Sequence, residues 1–100
     1  MAVKVLISRQ FKQDRINEAH DLLKKMRSVV TLRPGYISGQ TLVAAKNPNK
    51  LVVVSTWSGQ KTWEEWVNDE KRKEFSKRIG EMLISPEQVD VFFVGQESPE

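Results

Sequence analysis

The chain is 100 residues long, 39% apolar and 29% charged, with five Gly and four Pro. That balance builds one hydrophobic core and excludes the disordered and fibrous classes. Sixteen Lys and Arg against thirteen Asp and Glu leave a net charge of +3, too small and too mixed for a nucleic-acid surface, which wants a stripe of one sign. The absence of Cys excludes a disulfide framework, a thiolate nucleophile, a zinc ribbon and an iron–sulfur cluster, and fits a cytoplasmic chain.

No apolar run approaches the roughly 18–20 residues of a membrane-spanning helix, so no membrane partner is expected. Residues 1–12 are interrupted by Lys4 and Arg9 and read as a first strand rather than a signal peptide. Val3, Val5 and Ile7 share one parity and Lys4, Ser8 and Gln10 the other, with Leu6 breaking the alternation over residues 2–11. Over 13–32 the period changes: Ile16, Ala19, Leu23, Met26 and Val30 recur at helical steps and form one apolar stripe. Pro34 and Gly35 stop this helix and turn the chain.

Residues 36–45 and 51–57 read as two strands joined by the turn cluster of residues 46–50. Ser58 is the expected N-cap of a helix carrying Trp63, Trp66 and Val67 on one face. Asn68 and Asp69 break it, and Asp69 caps a continuation through Phe75, Ile79, Met82 and Leu83, which Ser85 and Pro86 end. The stretch 70–78 interleaves acids with bases, and Glu74 and Arg78 stand at the spacing of a helical ion pair. It reads as a solvated helix face. Residues 88–94 are the fourth strand, and 96–100 read as a frayed tail.

The order βαββαβ gives an α+β, ferredoxin-like fold, two right-handed crossovers over one antiparallel sheet. A single domain over 1–100, with its core at about 3–95, follows. Leu51, Val52, Val53 and Val54 do not alternate, and neither do Val91, Phe92, Phe93 and Val94. Both sheet faces therefore want covering, and a chain this short has no spare element for the second face. A homodimer, sheet against sheet, is the expected partner arrangement.

Several chemistries fail on counts. His20 is the only histidine, so no multi-histidine metal site can form within the chain. It reads as a partly buried helix residue. The five Gly contain neither a dinucleotide nor a nucleotide-phosphate pattern. The unusual feature is tryptophan: Trp57, Trp63 and Trp66 fall within ten residues of one another. Core packing is the ordinary reading of Trp57 and Trp63, whereas Trp66 fits a pocket wall as well as a core.

The run Arg33-Pro34-Gly35-Tyr36-Ile37-Ser38-Gly39-Gln40-Thr41-Leu42, then Ser55-Thr56-Trp57-Ser58, Trp63-Glu64-Glu65-Trp66 and Glu70-Lys71-Arg72-Lys73, resembles the antibiotic biosynthesis monooxygenase (ABM) family over most of the chain. The resemblance implies a dimeric α/β barrel with a pocket between sheet and helices. It also implies cofactor-independent oxidation of a small aromatic or quinol, without metal or flavin. On this chain it points to Trp66 as pocket wall and N–H donor, Ser8 as a hydrogen-bonding group on strand one, and Ser76 as a pocket neighbour. Arg9 and Tyr36 would supply a cation and a hydroxyl. The resemblance also extends to haem-degrading relatives, which set a strand Asn and a helix Trp beside a helix His that ligates iron. The corresponding residues here are Ser8, Trp66 and Ser76, and serine cannot replace the imidazole. Two other readings stay open on the sequence: a non-enzymatic dimer that binds a planar metabolite or haem, and a structural dimer whose own side chains fill the pocket.

Overall fold

The computed structural model describes residues 1–95; the tail expected to fray lies outside the described residues. Strand β1 (Val3–Gln10) buries its odd positions and turns its even ones to the other face. A 3-10 turn, Gln13–Arg15, leads into α1 (Ile16–Val30). Then come β2 (Tyr36–Ala44), β3 (Asn47–Trp57), α2 (Gln60–Val67), α3 (Glu70–Glu81) and β4 (Gln88–Phe93). The sheet order is β2-β3-β1-β4, every neighbouring pair antiparallel. This is the α+β, ferredoxin-like arrangement that the element order predicts.

The core lies between the sheet and the helices. Val3, Val5 and Ile7 of β1 and Leu51 and Trp57 of β3 pack against Ala19, Leu22 and Met26, the tryptophans of α2, and Ile79. The expected α1 stripe shifts by one position: Leu22 is buried, and Leu23 is half-buried. Positions 19, 22 and 26 point straight at the sheet, while Leu23 sits on the flank of the same face.

Three local expectations are corrected. First, β3 begins at Asn47, so the 46–50 cluster is mostly strand and the hairpin turn shrinks to Ala45 and Lys46. Ala44 pairs with Asn47 while Val43 pairs with Leu51, so 48–50 have no partner on β2. That irregularity tolerates Pro48, which cannot donate to a ladder, and Asn47 Oδ1 accepts from the Asn49 N–H at 3.1 Å.

Second, the N-cap of α2 is Gly59, not Ser58. The Ser58 N–H donates to the Gly35 carbonyl at 2.7 Å, which holds it in the turn region before the helix. Asp69 does cap α3, accepting from the Lys71 N–H at 2.8 Å. Third, α3 ends at Glu81, because the next residues join the sheet side of the molecule: Leu83 bridges Phe11, and the Ile84 N–H donates to the Gln10 carbonyl at 2.8 Å. On α3, Glu70 pairs with Lys73 at 3.8 Å, and the expected Glu74–Arg78 pair is not made among the described residues.

Gly35 takes φ +85°, which a side chain rarely adopts, and a Cβ there would collide with Thr62. The sheet face away from the helices carries Leu6, Leu42, Val52, Val54 and Phe92, brought together by the registers Leu6↔Val54, Leu42↔Val52 and Lys4↔Phe92. Within the single chain Leu42 and Phe92 are exposed, and no position of β4 is buried. Among the described residues no helix is long and apolar enough to cross a membrane.

Candidate functional site

Between the sheet and the three helices lies a cavity of about 60 Å³. Its aromatic wall is Tyr36, Trp57, Trp63 and Trp66; Arg9 and Arg72 also line it, and Leu23, Met26, Arg27 and Thr41 add residues from α1 and β2. Each comes from a simple local rule. Arg9 holds an odd position on β1 and so faces the helices with Val3, Val5 and Ile7. Trp63 and Trp66 stand three apart on α2 and share its buried face.

The aromatic wall is stacked edge to face. Tyr36 meets Trp57 at 5.3 Å and 82°, and Trp57 meets Trp63 at 5.8 Å and 64°. A Cβ on Gly39 would collide with the Tyr36 hydroxyl, so this glycine makes room for the phenol. The Trp57 indole N–H donates to Ser55 Oγ at 3.1 Å. Behind Trp66, Arg33 lies over the ring at 5.6 Å from its centroid, and Asp69 Oδ2 holds Arg33 Nε at 3.0 Å. Burial pushes the Asp69 carboxyl up, but the Lys71 N–H and Arg33 outweigh it and hold it below the usual carboxylate range.

The electrostatics are those of buried cations. Arg9 is 2% exposed and donates from Nε to Glu87 Oε1 at 2.9 Å. Arg72 is 7% exposed, lies over Trp63 at 5.2 Å and reaches Ser76 Oγ at 3.5 Å. Burial lowers the Arg72 pKa; Glu87 works against that and Arg9 adds to it. Arg9 Nη2 and Arg72 Nε are buried without a hydrogen-bond partner among the described residues. A charged donor left this way costs at least the roughly 1–3 kcal/mol of an unmade buried hydrogen bond.

Of the residues singled out in the sequence, Arg9, Tyr36 and Trp66 line the cavity. Ser8 does not: it is an even position of β1, registered with Val52 and Gln88 on the far sheet face. Ser76 lies on a neighbouring cleft with Gly80 and Glu87 and reaches the cavity lining at Arg72. His20 flanks a shallow groove with Lys24 that shares Leu23, Arg27 and Thr41 with the cavity mouth. Arg72 and Glu87 were not singled out. A signal for Arg72 existed, since it stands three and seven residues before Phe75 and Ile79, on the buried side of α3. Among the described residues no group of three His, Cys, Asp or Glu could hold a metal.

The family model for antibiotic biosynthesis monooxygenases matches residues 2–78. The chain belongs to the antibiotic biosynthesis monooxygenase family. Solved structures of other ABM-like folds agree with this in shape. A cofactor-independent oxygenase from Streptomyces nogalater, SnoaB, superposes with a TM-score of 0.86 at 12% identity, covering 99% of this chain and 98% of that one. A protein from Mycobacterium tuberculosis gives 0.88 at 19% identity, covering 99% and 100%. A conserved protein from Methanosarcina mazei gives 0.88 at 18% identity, covering 92% and 91%. No curated protein matches the chain. At these identities the neighbours speak for the fold, while the ABM match speaks for the family.

Proposed function

We propose that this ABM chain is a cofactor-independent monooxygenase that oxidises a small aromatic or quinol-type substrate in the tryptophan-walled cavity, as a cytoplasmic homodimer. The observation that carries it is an aromatic cavity that meets two buried arginines inside an ABM fold. A phenol beside two guanidinium groups ionises more easily, because a nearby cation favours the charged form. The phenolate supplies the electrons to dioxygen. A ring carbon ortho or para to the oxyanion gives up its one hydrogen and takes one oxygen atom as C=O, and the phenol's own oxygen becomes the second C=O. The ring hydrogen and the phenolic proton leave with the other oxygen atom as water. The protein supplies orientation, exclusion of water and charge stabilisation.

In this reading Trp66 is the pocket wall and an N–H donor, Tyr36 is a second wall with a hydroxyl, and Arg9 is the cation. Ser76 acts by positioning Arg72. Ser8 is left out, since it faces away from the cavity. The homodimer is supported by the apolar outer sheet face of Leu6, Leu42, Val52, Val54 and Phe92.

The test is oxygen uptake by protein freed of metal and flavin, against a panel of quinols and dihydroxy-aromatics. Protein-dependent uptake that falls in Trp66→Phe supports the reading; uptake unchanged in that variant removes Trp66 from the chemistry. A binding module without turnover is the second reading. It is favoured by one observation, that no carboxylate or imidazole among the described residues lines the cavity to act as a base. Tight binding of an aromatic with a flat oxygen trace would select it.

A further inference from the structure

The two buried arginines carry more than general charge stabilisation. Each is more than nine-tenths buried, and each has a fully buried guanidinium nitrogen, Nη2 of Arg9 and Nε of Arg72, without a partner among the described residues. The acid beside them, Glu87, is engaged by Arg9 Nε at 2.9 Å. Among the described residues the cavity lining includes Arg9, Arg27 and Arg72 and no Asp or Glu. Among the described residues, two buried cations against one carboxylate leave an excess of positive charge on one part of the wall. Buried charges in proteins are paired or bound, because an uncompensated one is costly.

Four aromatic rings could by themselves receive a cation. Here that use is closed. Arg72 lies on Trp63 and Arg33 on Trp66, and the lining arginines repel a second positive charge. What the wall lacks is an anion with a flat apolar body.

We propose that the cavity binds a small planar aromatic monoanion, its oxyanion bonded by Arg9 Nη2 and Arg72 Nε and its ring held against Trp57, Trp63 and Trp66. This rests on reading the cavity as the substrate site, and it narrows the substrate class from small aromatics to ionised ones. Carboxylate and phenolate share the recognised chemistry, an anionic oxygen that accepts charge-assisted N–H bonds. The cavity as it stands, about 60 Å³, is smaller than the roughly 150 Å³ that houses a benzene ring. Binding of a ring therefore requires the rim to yield.

The experiment follows the three indole N–H signals of the ¹⁵N-labelled full chain during titration with benzoate, with its uncharged isostere benzamide, and with sulfate. Benzoate binding at least about tenfold tighter than benzamide, the weight of exchanging a neutral for a charge-assisted bond, supports the proposal. Equal binding, tighter benzamide, or no indole shift with benzoate overturns it. Sulfate shifting the same signals as strongly as benzoate overturns the aromatic half. A second arm uses 4-nitrophenol below its own pKa: growth of the yellow phenolate on adding protein shows that phenolates are taken, and its absence together with benzoate selectivity assigns the site to carboxylates.

Arg72→Gln should erase the preference for benzoate, and preference retained in a folded variant overturns the role of Arg72. If that variant does not fold, the comparison of benzoate with benzamide on the unaltered chain decides alone. Benzoate selectivity with no oxygen uptake on any quinol retires the monooxygenase and leaves the anion site. Oxygen uptake with benzamide bound as well as benzoate does the reverse.

Discussion

Arg27 of α1 donates from Nη2 to Thr41 Oγ1 of β2 at 2.8 Å, and both residues line the cavity. The bond crosses the gap between helix and sheet where the shallow groove of His20 joins the cavity. It is exposed, so it spans the edge that the two share without contributing much to stability.

Arg27→Ala should therefore loosen the mouth at little cost. As a surface change it should alter stability by no more than about 0.5 kcal/mol. Acrylamide quenching of the tryptophan fluorescence should rise, because the quencher gains a path to Trp63 and Trp66. Unchanged quenching would show that the strap does not limit access.

Gly39 tests the aromatic wall. Gly39→Ala drives a methyl group into the Tyr36 hydroxyl, and the phenol ring, wedged on Trp57 at 5.3 Å, moves as a rigid body. Overpacking of this kind costs about 1–3 kcal/mol. Tyr36→Phe removes the oxygen that is struck, so in the double variant part of that loss, on the order of 1 kcal/mol, should return. Urea denaturation of the four proteins in the cycle measures it, and strict additivity would mean that the clash is relieved by some other route.

The reach of sequence reading divides along physical lines. Alternation on β1 and the heptad-like stripe of α1 are local periodicities, and the element order that they imply is the observed one. Arg9 could be found because strand parity alone sends it inward. Ser8 was misplaced because a matched motif position names a residue and says nothing of its side-chain direction, which the period of two had already settled. Arg72 was hidden by its neighbours: Lys71, Lys73 and Lys77 are exposed, and a charge run conceals the one member that turns inward with Ile79. Glu87 has no local signal at all. It meets Arg9 across 78 residues of sequence, a contact that only the closed sheet creates.

Asp69 makes the chain's stability depend on acid. Its carboxyl is held below its usual range in the folded state, so the stability it contributes is fully present above the unfolded value of about 4 and is lost as pH falls through the folded value. Asp69→Asn keeps the helix cap, since Asn caps as well as Asp, and removes the attraction to Arg33. Thermal midpoints of the two proteins should differ near neutral pH and converge below about pH 4. Asp69→Ala loses the cap as well and should cost about 1 kcal/mol more. A gap between the parent and Asp69→Asn that persists in acid would show that the carboxylate charge is not its source.

The outer sheet face yields the last prediction. Val54 stands on β3 between Leu6 of β1 and Gln40 of β2, near the middle of the apolar surface that a second copy would cover. The proposed homodimer would cover this face, since exposed contiguous apolar area on a small domain is an association hazard. Light scattering at micromolar concentration should give twice the chain mass, and the thermal midpoint should rise with protein concentration. Val54→Glu points a charge into that surface without touching the cavity, so it should give a chain of single mass that aggregates more readily than the parent. A parent of single mass at every concentration would remove the homodimer, and with it the explanation of why Leu51, Val52, Val53 and Val54 are apolar on both parities.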